Sequence, residues 1–329
     1  METQPFTTLT PDTVLAAVDA TGLATTGTLL AMGSYENRVY QVGIQAPDGA
    51  PAFVIAKFYR PGRWTDAQIL EEHAFLNDLA QAEIPTVVAC TLRGRSLHLF
   101  GEHRLAIFER QGGRAPNLDD PQLRIRLGRL LGRIHAVGGR RSFKERINLD
   151  IDSYGHNARA YLIEHKVLPW LYRKTYEIVS AQALGEVARA FERAGDVRRL
   201  RIHGDVHPGN VLATDAGVHF VDFDDSCMGP AIQDLWMLLG HTPEEQREHL
   251  TDLLAGYTAF ADFNPRELHL IEALRTLRLI HHSAWIARRW DDPAFPLAFP
   301  WFGEHSYWEL RIGELRQQIS ALRAPPLSI

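Results

Sequence analysis

Apolar residues recur along this chain at two spacings, and the change from one to the other divides it. Up to about residue 110 the pattern is mostly short and strand-like. Thr28–Met32, Arg38–Ile44 and Phe53–Phe58 are runs with β-branched and aromatic positions, and Pro47, Asp48 and Gly49 make the turn expected between the last two. Asp66–Ala82 instead places Ile69, Phe75, Leu76 and Leu79 at helical intervals, which predicts one helix among the strands. Val87–Thr91, Leu97–Phe100 and Leu105–Phe108 read as further short strands, and a helix from Pro11 through Val18, closing near Gly22, precedes them all.

Beyond Gln111-Gly112-Gly113-Arg114-Ala115-Pro116, the expected linker, the period becomes helical. Leu123, Leu127, Leu130, Leu131 and Ile134 form one stripe, with Arg124, Arg126, Arg129 and Arg133 on other faces. His135 ends that stripe and reads as a satisfied core histidine. Helices are expected around Asn157–Glu164, Leu168–Ala190, Ile232–Leu239, Pro243–Ala259 and Pro265–Trp290, the last capped by Asn264. The pattern predicts an α+β chain of two lobes with a cleft between them. Residues 1–110 form a small antiparallel-sheet lobe with one helix, and residues 111–329 form a larger, mainly helical lobe.

Composition narrows the class. With 329 residues and 45% apolar content the chain can bury substantial cores. A net charge of −5 gives no basic field for nucleic acid. The polar, acidic N-terminus and the lack of a long apolar run predict neither a signal peptide nor a membrane span. Two cysteines, Cys90 and Cys227, are expected as reduced thiols in a cytoplasmic protein.

The chemistry concentrates in Ile202–Asn210, IHGDVHPGN, and in FVDFDD, where Asp222 follows twelve residues after Asn210. Pro208-Gly209 forces a turn between Asp205 and Asn210, and HGDVH lacks the acid and the helix of a zinc motif. Phosphoryl transfer from ATP needs a carboxylate to orient and deprotonate the attacking hydroxyl, a role for Asp205. It also needs oxygen ligands for Mg²⁺, a role for Asn210 and Asp222. Upstream, Gly33 and Ser34 lie between two predicted strands, where a small residue and a hydroxyl suit triphosphate oxygens. Lys57 sits in an apolar strand and requires a partner. Glu72 is preferred to Glu71, because it shares a helix face with Phe75, Leu76 and Leu79. Asp224 and Asp225 read as solvated loop acids, with a reach to a second metal by one of them as the alternative, and Asp234 as a structural residue that caps a helix or braces the loop.

HGDVHPGN with VDFDD resembles the aminoglycoside-phosphotransferase and choline-kinase branch of the protein-kinase-like fold. GSYENRVYQV at 33–42, AKFYRPGRWTDAQILEEH at 56–73, FERQGGRAPNL at 108–118, LGRLLGRIHAVG at 127–138, DFDDSCMGPAIQDLWMLL at 222–239 and HHSAWIARRWDDPAFPLAFPWF at 281–302 are similar to the bacterial stress response kinase A family of serine/threonine kinases. The resemblance implies Asp205 as proton acceptor, Asn210 and Asp222 as Mg²⁺ ligands, and Ser34 and Lys57 at the ATP phosphates. It also implies that Glu109–Gln111 meets the adenine edge. Asp224 stands where protein kinases have the glycine of DFG, and no APE-type segment follows, so a switchable activation loop is not expected. The expected protein is a monomeric, ATP- and Mg²⁺-dependent kinase acting on protein Ser or Thr, itself included. The rivals are a small-molecule kinase and a non-catalytic binding module. A cationic acceptor would favour acid-lined surroundings, and the aromatic residues from Trp285 to Phe302 either wall that region or pack a core.

Overall fold

The structure is a computed structural model that describes residues 4–46, 51–214 and 217–328. The turn expected at Pro47, Asp48 and Gly49 lies outside the described residues. The chain divides into two compact units, Met1–Ala115 with Leu212–Asp224, and Pro116–Val211 with Asp225–Ile329. It therefore passes from one unit to the other at 115/116, 211/212 and 224/225, rather than once near residue 110.

The first unit opens with α1 (Pro11–Ala20), started by Thr10, whose hydroxyl accepts from the Thr13 amide. Strands β1 (Thr25–Met32), β2 (Arg38–Gln45) and β3 (Pro51–Phe58) precede α2 (Asp66–Gln81), and β4 (His98–Phe100) and β5 (His103–Glu109) follow it. The five strands form one antiparallel sheet in the order β1-β2-β3-β5-β4. Alternation decides which side chains meet which helix. Val54, Ala56 and Phe58 join Val14, Ala17 and Val18 of α1 in one core. Their neighbours point to the other face, where Tyr59 and Ala106 pack with Ile69 of α2. Lys57 lies on that second face, opposite Val39 of β2 and Ala106 of β5. A capping box of Thr65 and Gln68 fixes the start of α2.

Val87–Thr91 is not a strand. Ala89 makes a single bridge to Phe108 and the Cys90 amide donates to the Ile107 carbonyl, but a turn closing Leu92 onto Arg95 ends the ladder at once. The segments Val211–Thr214 and Gly217–Phe220 form a small two-stranded sheet, and Ala213 exchanges backbone hydrogen bonds with Arg114.

The second unit is helical around a small ladder. α3 (Pro121–Gly138), α4 (Asn157–Glu164) and α5 (Trp170–Ala194) lead to β6 (Leu200–Ile202), which pairs antiparallel with Cys227–Gly229. Next come α6 (Gln233–Trp236), α7 (Pro243–Tyr257), α8 (Ile271–Ala287), α9 (Ala294–Ala298) and α10 (His305–Arg323). α6 is a single turn where a longer helix was expected. Residues Pro265–Leu270, expected to begin the long helix, form a 3₁₀ segment that Asn264 caps, and α8 starts only at Ile271. Of the aromatic stretch, Phe295 and Phe302 are buried with α5 and α8 residues, Trp285, Trp290 and Phe299 pack against that core partly buried, and Trp301 is exposed.

α3 and α7 approach so closely that side chains are excluded at the contact. A Cβ on Gly128 would stand 1.9 Å from the Leu253 carbonyl oxygen, and one on Gly132 2.5 Å from that of Tyr257. A Cβ on Gly256 would meet the Ile125 carbonyl oxygen at 2.0 Å. Beside this seam the buried Arg124 of α3 binds Asp252 at 2.6 Å and Glu248 at 2.5 Å on α7.

Candidate active site

The candidate residues fall into two constellations, one in each unit. In the first unit, Lys57 Nζ stands 3.0 Å from Asp224 Oδ1, 3.2 Å from Asp222 Oδ1 and 3.9 Å from Glu72 Oε1. Burial works against the lysine charge, but the carboxylates of Asp224, Asp222 and Glu72 outweigh it and hold the ammonium well above its usual range. Glu72 is buried on α2, so its carboxylate would be costly without this cation.

Asp224 is not a solvated loop acid. It is buried and also receives the Arg63 guanidinium and, at 3.2 Å, the Asn37 side-chain amide. Asn37 in turn accepts from the Arg60 amide at 3.1 Å, and Arg60 Nε lies 3.1 Å from Glu36 Oε1. The loop between β1 and β2 is thus tied through Asn37 to the acid that holds Lys57. Sequence reasoning missed Asn37, Arg60 and Arg63, although all lie within segments quoted above.

Gly33 and Ser34 occupy that same loop. A Cβ on Gly33 would meet nothing within 4 Å, so no contact inside the chain demands glycine there. Among the described residues the Ser34 hydroxyl makes no hydrogen bond. Asp222 has a left-handed backbone, φ 60°, which aspartate tolerates better than most residues. The turn buries Phe223 against Phe75 of α2 and leaves the Asp222 side chain 57% exposed. Glu109 ends β5 and Gln111 follows it, both exposed.

In the second unit, β6 delivers the chain to His203 and the loop through Asn210. Gly204 has φ 87°, and a Cβ there would sit 2.3 Å from the Asp225 carbonyl oxygen, so only glycine fits without displacement. Asp234, fully buried, accepts from the His203 amide and the Gly204 amide at 2.8 Å each and lies 3.0 Å from His135 Nε2. Gln233 donates to the Gly204 carbonyl at 2.9 Å. His135 Nδ1 lies 3.0 Å from the Tyr257 hydroxyl, so α3, α6 and α7 together brace the loop.

The loop presents Asp205 partly exposed. Asn210 Nδ2 donates to the Asp205 carbonyl at 3.0 Å, which leaves the amide oxygen without a hydrogen bond among the described residues. Arg278 Nη1 of α8 lies 2.6 Å from Asp205 Oδ1, and His207 Nε2 3.5 Å from Oδ2. Burial raises the Asp205 pKa, but Arg278, His207 and His203 overcome that and hold the carboxylate below its usual range. Arg278 was not foreseen, since one arginine on a helical stripe carries no motif.

A sequence profile described as "phosphotransferase enzyme family" matches residues 27–271. The chain belongs to the phosphotransferase enzyme family. It is 37% identical over 324 residues to "Stress response kinase A" of Escherichia coli, covering 98% of this chain and 97% of the other. The same figures hold for "Serine/threonine protein kinase RdoA" of Salmonella typhimurium. The fold is also that of amicoumacin kinase hAmiN, solved in complex with AMP-PNP, Ca²⁺ and Ami, with a TM-score of 0.72 over 95% of this chain and 94% of that one at 18% identity. This phosphotransferase is therefore a kinase-type enzyme with the protein-kinase-like fold, similar to the stress response kinase A proteins over nearly its whole length.

Proposed function

We propose that this phosphotransferase is an ATP- and Mg²⁺-dependent serine/threonine protein kinase of the bacterial stress response, able to phosphorylate itself. The observation that carries this reading is the braced 203–210 loop. Asp234 and Gln233 hold its backbone, and Asp205 is offered as a partly exposed, ionised carboxylate. The names of the full-length relatives support the acceptor class.

In the reaction, the acceptor hydroxyl oxygen forms a bond to the γ-phosphorus while the bond from that phosphorus to the β–γ bridging oxygen breaks. ADP departs, and the hydroxyl proton passes to Asp205. A low pKa suits this role, because the transition state is loose and the proton leaves late. Asp205 therefore orients the hydroxyl more than it activates it. Lys57, kept charged by its carboxylates, binds the α- and β-phosphates, and Gly33 and Ser34 line the phosphates from the β1–β2 loop. Glu109 and Gln111 border the adenine.

The donor set fits Mg²⁺: Asp222 offers an exposed carboxylate, and Asn210 an amide oxygen freed by anchoring its nitrogen. When bound, the ion would neutralise charge on the β- and γ-phosphates. In this reading residues 1–110 with the Asp222 segment serve the nucleotide, and the rest serves catalysis and the acceptor. The protein acts as a cytoplasmic monomer.

The test is labelled ATP with and without Mg²⁺, followed by phosphoamino-acid analysis of the chain and of an added protein acceptor. Phosphoserine or phosphothreonine that depends on Mg²⁺ is expected. Label found only on a small hydroxyl compound would overturn the protein-kinase reading.

A further inference from the structure

The surroundings of Asp205 within the second unit carry a statement about the acceptor, one that rests on the proposed role of Asp205. Arg278 projects from α8 with its side chain 41% exposed and spends only Nη1 on Asp205, at 2.6 Å. Among the described residues Nε and Nη2 make no hydrogen bond. Those two nitrogens form the side-on edge of the guanidinium, which matches both oxygens of a carboxylate or phosphate. His207 Nε2 flanks the other oxygen of Asp205 at 3.5 Å. His207 Nδ1 accepts from the Gly209 amide, which turns Nε2 towards the carboxylate. Three positions back on α8, Arg275 is paired with Glu272 at 3.5 Å.

We propose that Arg278 selects an acceptor bearing an anionic group beside the hydroxyl that receives phosphate, in a protein substrate a Ser or Thr flanked by acidic residues. A carboxylate docks on the Nε–Nη2 edge while Nη1 keeps its hold on Asp205, so nothing is broken to bind it. An ammonium group approaching the same carboxylate meets the guanidinium first. It must either tolerate that repulsion or displace a charge-assisted hydrogen bond, and both cost discrimination.

The experiment compares two pairs of acceptors with labelled ATP and Mg²⁺ on the full chain. One pair is a serine peptide with Asp and Glu flanking the serine, and the same peptide with Lys at those positions. The other pair is glycerate, a small hydroxy acid, against choline. The anionic member of at least one pair should show kcat/KM higher by about tenfold to a hundredfold. That ratio should collapse towards one in Arg278→Gln and survive in part in Arg278→Lys, which keeps charge but not the fork. A merely structural arginine would lower all rates together and leave the ratio unchanged. Turnover of glycerate but no peptide would sink the protein-kinase reading and leave this inference standing. Preference for the cationic members, turnover of no anionic acceptor, or an unchanged ratio in both variants would overturn it.

Discussion

Asp205 gathers the strongest local constraints in the second unit, and they set how its removal must act. Its backbone amide donates to His203 Nδ1, its carbonyl accepts from Asn210, and its carboxylate holds Arg278. Asp205→Asn keeps the shape and loses the charge and the proton acceptor. Turnover should fall about 10²–10⁴-fold while the KM for ATP changes little; steady-state kinetics on parent and variant decide it, and near-normal kcat would remove Asp205 from its role. Lys57 offers a second test, because its partners act as a unit. Lys57→Ala with Glu72→Ala should be strongly non-additive in kcat/KM. Asp224→Ala takes from Arg63 and Lys57 the acid they share, leaving Lys57 with Asp222 and Glu72 and Arg63 with Glu36, so it should cost about 1–3 kcal/mol in denaturant unfolding as well as activity. An Asp224→Ala protein as stable as the parent would refute the account of Asp224 as the hub of that network.

At the scale of elements, close packing of α3 on α7 is what places His135 and, through it, Asp234. The glycines at 128, 132 and 256 let the backbones meet where a Cβ has no room. Gly128→Val should therefore force the helices apart, costing about 1–3 kcal/mol or more. It should also lower kcat, because the His135–Asp234 brace moves with α3. Urea unfolding and kinetics measured on the same preparation test the coupling; lost stability with unchanged kcat would separate the seam from the loop. The elements that carry the candidate site were legible in the sequence for a physical reason. Lys57 stands out because alternation places a charge in an otherwise apolar strand, and Pro208-Gly209 announces a turn between Asp205 and Asn210. What escaped is long-range. Asp224 looks like a surface acid until Asn37, 187 positions away, and Arg63, 161 away, converge on it. Arg278 lies 73 residues from Asp205, on a helix whose period says only that one face is buried. The shortened α6 and the 3₁₀ entry to α8 also follow from such contacts, since Glu267 accepts the buried Ile232 amide at 2.9 Å across them.

For the whole molecule, a buried histidine of α8 contributes to how stability follows pH. His282 is stacked on Trp285 with ring centroids 5.6 Å apart. Burial, reinforced by Arg311 and Arg278, pushes its pKa down to about 4. An imidazole whose folded pKa lies below its unfolded value is neutral in the native state and gains a proton on unfolding. Between the unfolded value, about 6.5, and the folded one, the unfolded chain binds more protons. Stability therefore rises with pH across that window and is lost as pH falls through it, with a slope approaching 1.4 kcal/mol per pH unit from this group. Carboxylates such as Asp205, whose pKa is lowered, lose their contribution only at still lower pH, whereas His98 and His219, also lowered by burial, contribute in the same direction as His282. His282→Phe keeps an aromatic ring against Trp285 and removes the titration. The unfolding temperature followed from pH 7 to pH 5 should fall more steeply for the parent than for His282→Phe, which keeps only the share of His98 and His219. Parallel curves for the two proteins would mean that His282 is already charged in the fold, and that burial, Arg311 and Arg278 do not act on it as described.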